Sequence, residues 1–427
     1  MRNSMVSLFQ LAASALSIAA MGAIGVQLMG RLVRVLSGRE EADGLALRRA
    51  GDKRPLPLRE MGLAAGAAFF SRVLVYLLAW AMMRLMNAGS GGILETLERL
   101  WLHWDTRHYI GIAEEGYTAV GDERLRLVFF PLYPLLMRAF SVFTGGDVFL
   151  GGLLVSLLCT MVASALLVDL GLMHGDKKTA TLAVGYFLLS PMSVFLNCAY
   201  TEALFIALTL GAVCLLRRGY PCLAALCGAA SALTRMPGVI IAGLFIIALL
   251  AKIPKRELSV RAALSCAGQV LIVFSGLFIY WGMNWIVTGD PFTYLVYQKE
   301  NWYQEVGSFW QTAETTMYYV LSVIGADDWF FCWVTQLVAM FAVYALLVLK
   351  QKALPFDLAA YSFVYVAVVL SPTWLLSGPR YLYALCALPL LKAKMVKSGA
   401  VHGMLLAVSA ALLVLYTFGY TLAIAVL

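Results

Sequence analysis

Charge is scarce in this sequence. Asp, Glu, Lys and Arg make up only 13% of its 427 residues, roughly half the share of an ordinary soluble chain. Histidine occurs four times. The eight cysteines form no C-x-x-C pair and no Cys/His spacing suited to zinc. Almost all of them lie inside apolar runs, where a thiol behaves as a small hydrophobe. There is no Asn-x-Ser/Thr sequon, which favours a bacterial origin. No internal repeat is visible, which counts against transporters built from repeats. Together these features exclude disorder, collagen, coiled coil and a secreted disulfide scaffold.

What the chain has instead is apolar surface: 62% of residues are hydrophobic and mean hydropathy is +0.82. One, two or three soluble domains could not hide that much. The fold class expected is all-α, a polytopic integral membrane protein. A spanning helix needs about 20 apolar residues, and the runs 5–30, 61–86, 149–171, 179–198, 262–287, 330–349, 357–376 and 402–425 qualify. Shorter runs occupy 202–216, 220–234, 237–251 and 379–392. Each covers about 22 Å at 1.5 Å per residue, less than the hydrocarbon thickness. Such helices suit a protein interior or a locally thinned membrane. The run 129–143 carries two prolines and Arg138, and reads as re-entrant or interfacial. Counting the short helices, about twelve crossings are expected.

The net charge of +8 sits in short basic clusters between apolar runs, so membrane topology explains it and no nucleic-acid partner is expected. Arg31, Arg34, Arg39, Arg48, Arg49, Lys53, Arg54 and Arg59 follow the first run, and positive flanks stay cytoplasmic. The first run is therefore expected to be a retained span with its N-terminus outside, rather than a cleaved signal peptide. This divides the chain into 1–60, a span plus a basic cytoplasmic segment, and 61–427, the main transmembrane domain. If 31–60 is cytoplasmic and each run crosses once, about two thirds of the basic residues fall inside. The same alternation collects 87–128, 200–202, 235–237, 288–329 and 377–380 on the outer face, with 87–148 and 288–329 as its two long loops. His103 and His108 there flank Asp105.

At these segments the sequence resembles the PIG-V type (GPI mannosyltransferase II) and its bacterial relatives, within the GT-C glycosyltransferase superfamily. The motifs are HWDTRHYIGIAEEGY (103–117), FFPLYP (129–134), SPMSVFLNCAYTEALF (190–205), ALTR (232–235), GDPFTYLVYQ (289–298) and SGPRYLYALCALP (377–389). They cover about two thirds of the chain, and 1–60 lies outside them. The resemblance implies a GT-C-like domain at 61–427. It also implies transfer of a hexose, by family habit mannose, from a polyprenyl-phosphate sugar to an acceptor hydroxyl on the non-cytoplasmic face. The acceptor could be a glycolipid, a glycan or a protein. The other readings are a transporter or flippase for a lipid-linked sugar, and a non-catalytic subunit of a glycosylation complex. A bacterial cell membrane is the expected location.

Such a transfer needs a base for the acceptor proton and cations for the departing phosphate. Inversion at the sugar follows from one displacement and needs one positioned carboxylate. Asp105 is the candidate base, because the superfamily carries its catalytic acid at the start of the first outer loop. A carboxylate paired with Arg107, or capping a helix, is the other reading. His103 and His108 could orient substrate, and Trp104 and Tyr109 could stack on a sugar. Interfacial hydrogen bonding and aromatic belts explain the same residues. Glu114, Tyr117 and Gln298 are further substrate candidates. Glu202 is read as acceptor-binding or as a helix start, and Asp290 as a turn or a substrate contact. Arg235 and Arg380 read as isolated outer cations suited to the donor phosphate or to lipid headgroups. No ligand spacing for a divalent ion is seen, so no cofactor and no metal requirement are expected.

Overall fold

A computed structural model of the chain describes residues 2–42, 55–86, 92–326 and 328–424, with side chains from residue 5 onward. Arg48, Arg49, Lys53 and Arg54 of the basic segment, and 87–91 of the first outer loop, lie outside the described residues. Every element described is helical, apart from an isolated bridge between Val306 and Pro372.

Four elements lead to the first candidate motif. Helix α1 (Arg2–Leu36) and α2 (Leu58–Leu85) are long and apolar; α3 (Ile93–Trp101) and α4 (Asp105–Glu115) are short. The next stretch is bent. A 3-10 turn at Asp122–Val128 meets α5 (Leu132–Phe140), and the two segments, 122–128 and 132–144, cross at 107°. Pro131 sits at the bend. Such a bend belongs to a broken span or to a re-entrant loop, the latter being the reading expected around 129–143. Helix α6 (Val148–His174) lies against α5 at very short range. A Cβ on Gly151 would stand 2.5 Å from the Met137 carbonyl, so the crossing needs glycine there.

Helix α7 (Lys177–Leu188) is followed by a 3-10 turn at Pro191–Asn197, bent by 73°. A buried arginine bridges the bend. Arg72 of α2 donates to the Leu188 carbonyl at 2.7 Å, to the Ser193 carbonyl at 2.5 Å and to Asn197 Oδ1 at 3.0 Å. A helix end leaves its last carbonyls without partners, and in an apolar surrounding each would be costly. One guanidinium satisfies the Leu188 carbonyl that ends α7 and the Ser193 carbonyl beyond it.

Helix α8 (Glu202–Arg217) is buried along nearly its whole length between α6 and α9 (Pro221–Ala232). Helix α10 (Ala242–Leu250) continues a 3-10 turn at Met236–Ile241. Helix α11 (Val260–Thr288) crosses α9 closely: a Cβ on Gly276 would meet the Ala229 carbonyl at 2.1 Å. Then come α12 (Thr293–Trp302) and α13 (Phe309–Ser322). The expected outer loop 288–329 is therefore two helices, and α13 packs along α1. Helix α14 (Thr335–Lys350) extends a π-turn at Trp329–Val334, and α15 (Phe356–Val369) follows. The short α16 (Gly378–Tyr383) and α17 (Leu388–Ala393) precede α18 (Gly399–Thr421).

The chain is an all-α integral membrane protein. Among the described residues, six helices are long and apolar enough to span, or eight if each bent pair is one span. This does not confirm the expected twelve, which also counted short apolar helices such as Pro221–Ala232, Met236–Leu250 and Phe356–Val369. The short runs at 202–216 and 379–392 became largely enclosed helices, which need not cross a lipid bilayer. The run 357–376 also falls short, because its helix stops at Val369.

Paired charges gather at the two ends of the bundle. Arg31 bonds Glu40 and Gln351; Arg217 pairs with Asp357, and Arg218 with Asp169; Lys394 donates to the His174 carbonyl. These groups gather at one end. Glu202 starts α8 and Arg217 ends it, about 22 Å apart at 1.5 Å per residue. The segments around Glu202 thus meet at the opposite end.

Candidate active site

The site is built on a strained turn. The Thr106 amide donates to the His103 carbonyl at 3.2 Å, closing a β-turn with Trp104 in second position. Trp104 has φ 45° and ψ −117°, a conformation glycine adopts freely and other residues adopt at a cost of about 1–3 kcal/mol. Surrounding aromatics hold it. Tyr420 of α18 lies against Trp101, His103 and Trp104, and the Tyr200 hydroxyl donates to the His103 carbonyl at 3.3 Å. The next residue after the strained one is Asp105, which opens α4.

Four charged side chains from four segments converge there. Arg380 of α16 donates Nη2 to Asp105 Oδ2 at 2.9 Å. Its Nε lies 2.9 Å from Glu202 Oε1. Arg235 donates Nη1 to the same Glu202 oxygen at 2.6 Å. The order is Asp105–Arg380–Glu202–Arg235, two cations and two anions, with a net charge of zero. Side-chain exposure falls from 23% at Asp105 to 14% at Arg235, 7% at Arg380 and 1% at Glu202. Asp105 is the group that a solute can reach most easily. Tyr200, Phe195 and Tyr381 surround the Arg380 guanidinium, and Tyr381 lies 4.6 Å from that of Arg235. Aromatic faces stabilise a cation that has left bulk water.

The arginines are thus not the isolated cations that their sequence positions suggested. Each is paired with a carboxylate, because hairpins distant in sequence deliver Glu202 between them. Glu202 in turn lies beneath the exposed rim rather than on it.

Two helix-positioned rings complete the rim. His108 stacks on Phe129 of the FFPLYP segment at 4.8 Å and meets Trp302 edge-on. Burial lowers its pKa, and the Arg126 charge adds to this, against an opposing pull from Asp105. His103 is lowered too, by burial first and then by Arg107. Both imidazoles are thereby biased to the neutral form. Tyr109 is buried beside Phe129 and Tyr133. The Tyr117 hydroxyl donates to the Phe129 carbonyl at 2.8 Å, fixing the same segment.

Other candidates lie away from this convergence. Glu114 is exposed at the far end of α4. Asp290 is exposed, and its Oδ1 accepts from the Phe292 amide at 2.9 Å in a tight turn. Gln298 is half-buried on α12. Trp104 presents its ring to Tyr420.

One residue that holds the site had no motif to mark it. Gln336 of α14 is buried; its Nε2 donates to the Leu375 carbonyl at 2.7 Å and its Oε1 accepts from the Gly378 amide at 3.0 Å. It clamps the segment that carries Arg380. The available signal was an amide inside an apolar run, where polar groups carry a cost and need a reason. Among the described residues, no group of three His, Cys, Asp or Glu side chains could hold a metal ion.

The chain is similar to known proteins. A family model described as mannosyltransferase (PIG-V) matches residues 81–298. That range includes Asp105, Glu202 and Arg235, and excludes Arg380. GPI alpha-1,6-mannosyltransferase 2 of Cricetulus griseus is 36% identical over 143 residues, 30% of this chain and 26% of that protein. The same-named proteins of Rattus norvegicus and Homo sapiens are 33% identical over 175 residues and 35% over 133. These cover 36% and 27% of this chain, and 34% and 25% of theirs. The chain therefore matches only about a quarter to a third of each relative's length. These relatives are mammalian and give no support to a bacterial membrane. Among solved structures, ArnT from Cupriavidus metallidurans in the apo state aligns with TM-score 0.44 at 12% identity, over 75% of this chain and 70% of that one.

Proposed function

Since the chain belongs to the mannosyltransferase (PIG-V) family, we propose that it is a membrane glycosyltransferase moving a mannose from a polyprenyl-phosphate donor to an acceptor hydroxyl. The observation that carries this is the partly open Asp105 carboxylate, held by Arg380 beside Arg235. Asp105 takes the acceptor proton. The acceptor oxygen forms a bond to the sugar anomeric carbon, and the bond from that carbon to the phosphate oxygen breaks. The electron pair leaves with the phosphate, and the anomeric centre inverts. Arg235, the more exposed arginine, offsets the charge that develops there. Arg380 holds the base in place.

The acceptor is a glycolipid, a glycan or a protein hydroxyl. The site faces the non-cytoplasmic side. The gathering of Arg31, Arg217, Arg218 and Lys394 at the opposite end supports this, since basic residues are retained in the cytoplasm. The test is to incubate purified protein with polyprenyl-phosphate mannose and a panel of glycolipid, glycan and peptide acceptors. Mannosylated acceptor appearing together with free polyprenyl phosphate is the expected result. Donor left intact with every acceptor would overturn the proposal.

A further inference from the structure

The reaction above gives Glu202 no task, yet Glu202 occupies the centre of the cluster. Its carboxylate is used unevenly. Oε1 receives Arg235 at 2.6 Å and stands 2.9 Å from Arg380 Nε. Oε2 is buried and has no hydrogen-bond partner among the described residues. Arg380 Nε, although in ion-pair contact, lacks hydrogen-bond alignment. Two buried ion pairs at the other end of the molecule look different. Asp357 takes Arg217 with both oxygens at 2.9 Å each, and Asp169 takes Arg218 with both at 2.9 and 2.5 Å. Two-pronged pairing is the strong form. Two buried pairs are thus closed and two-pronged, whereas the buried Glu202 carboxylate is engaged through one oxygen only, and it borders the candidate base.

We propose that Glu202 is an internal counter-anion: it competes for the Arg235 guanidinium that meets the lipid phosphate, offsets the charge of the neighbouring Arg380, and so limits the grip of the site on that phosphate. The inference rests on the lipid-phosphate donor proposed above. A sugar phosphodiester carries one negative charge. The lipid phosphate left after transfer is a monoester with about 1.5 to 2. At the same step Asp105 takes a proton, so the cluster passes from zero to a net charge of +1. Attraction between site and product rises just when the product must leave. Without the Glu202 charge the cluster would stand at +1 before transfer and +2 after it. Release would then limit turnover, as it does in many enzymes. Glu202 is a positioning and charge-balancing residue; it need not touch the substrate.

The test is equilibrium binding of undecaprenyl phosphate to the purified full chain in detergent, with thermal melting of each variant as a fold check. Removing one buried charge within several ångströms of the phosphate changes affinity on the order of ten- to a hundred-fold. Glu202→Gln should therefore bind undecaprenyl phosphate more tightly by that factor, while kcat falls. Glu202→Asp keeps the charge but withdraws it by one methylene, and should show a smaller gain. It carries the test if the glutamine variant does not fold. Adding Arg235→Gln to Glu202→Gln restores a neutral cluster and should abolish the gain. Binding by folded Gln and Asp variants that is equal to or weaker than that of the native protein overturns the role of Glu202. Failure of native protein and variants alike to bind undecaprenyl phosphate overturns the lipid-phosphate reading, and this inference with it.

Discussion

Replacing Asp105 by Asn is the perturbation whose consequences can be followed furthest. The two side chains have the same shape. The amide oxygen of Asn can still accept from Arg380 Nη2, which donates to Asp105 Oδ2 at 2.9 Å. The strained turn at Trp104 is backbone geometry and is unaffected. Insertion and folding should therefore survive. The basic oxygen is lost. A positioned general base contributes about 10²- to 10⁴-fold, or about 3–5 kcal/mol of barrier at 1.36 kcal/mol per tenfold. Substitution also moves the cluster from neutral to +1, so an anionic donor is bound no more weakly. The loss should thus appear in kcat, by about a hundredfold or more, with donor KM unchanged or lower. The assay is transfer of radiolabelled mannose from polyprenyl-phosphate mannose in membranes, normalised to protein by quantitative blot. A kcat within tenfold of the native value, or a loss confined to KM, would refute the assignment of Asp105 as base.

The other predictions concern stability, pH and metal. Arg217→Ala leaves the buried Asp357 carboxylate without its two-pronged partner and should cost about 3–5 kcal/mol, whereas Arg217→Met with Asp357→Leu should be near neutral; detergent thermal melts of both variants decide it. For His108, burial favours the neutral ring, so the folded protein binds fewer protons than the unfolded chain. Stability then falls as pH drops through the ordinary imidazole range near about 6.5, and is fully present above it. His108→Gln should shrink the loss of Tm between about pH 7.5 and pH 5.5, and an unchanged loss counts against the argument. Transfer should be unaffected by EDTA, because two arginines already supply the positive charge at the cluster; a rate restored only by added Mg²⁺ or Mn²⁺ would contradict this.

Much of the molecule was legible before any coordinates. Apolar run length locates α1, α2, α6, α11, α14 and α18, because a spanning helix must satisfy its backbone internally over a fixed thickness. Proline placement locates the bend at Pro131, because proline cannot continue the hydrogen-bond ladder. The motif around Asp105 marks the candidate base through its resemblance to a known family, while the strained turn that presents it is held by distant rings, Tyr200 and Tyr420. Crossing number was not legible: hydropathy cannot tell a short helix enclosed by protein, such as α8, from one facing lipid.

Pairing was not legible either. Arg235 and Arg380 look unpartnered along the chain because their counter-anion, Glu202, lies 33 and 178 positions away. Only the packing of α8 between α6 and α9, with α16 clamped by Gln336, brings the three to one end of the bundle. Composition determined that this chain lives in a membrane, because apolar surface in that amount has no other stable solvent. Tertiary structure alone decided which charges neutralise one another there, because ion pairing depends on distance in space and the chain sets only distance along itself.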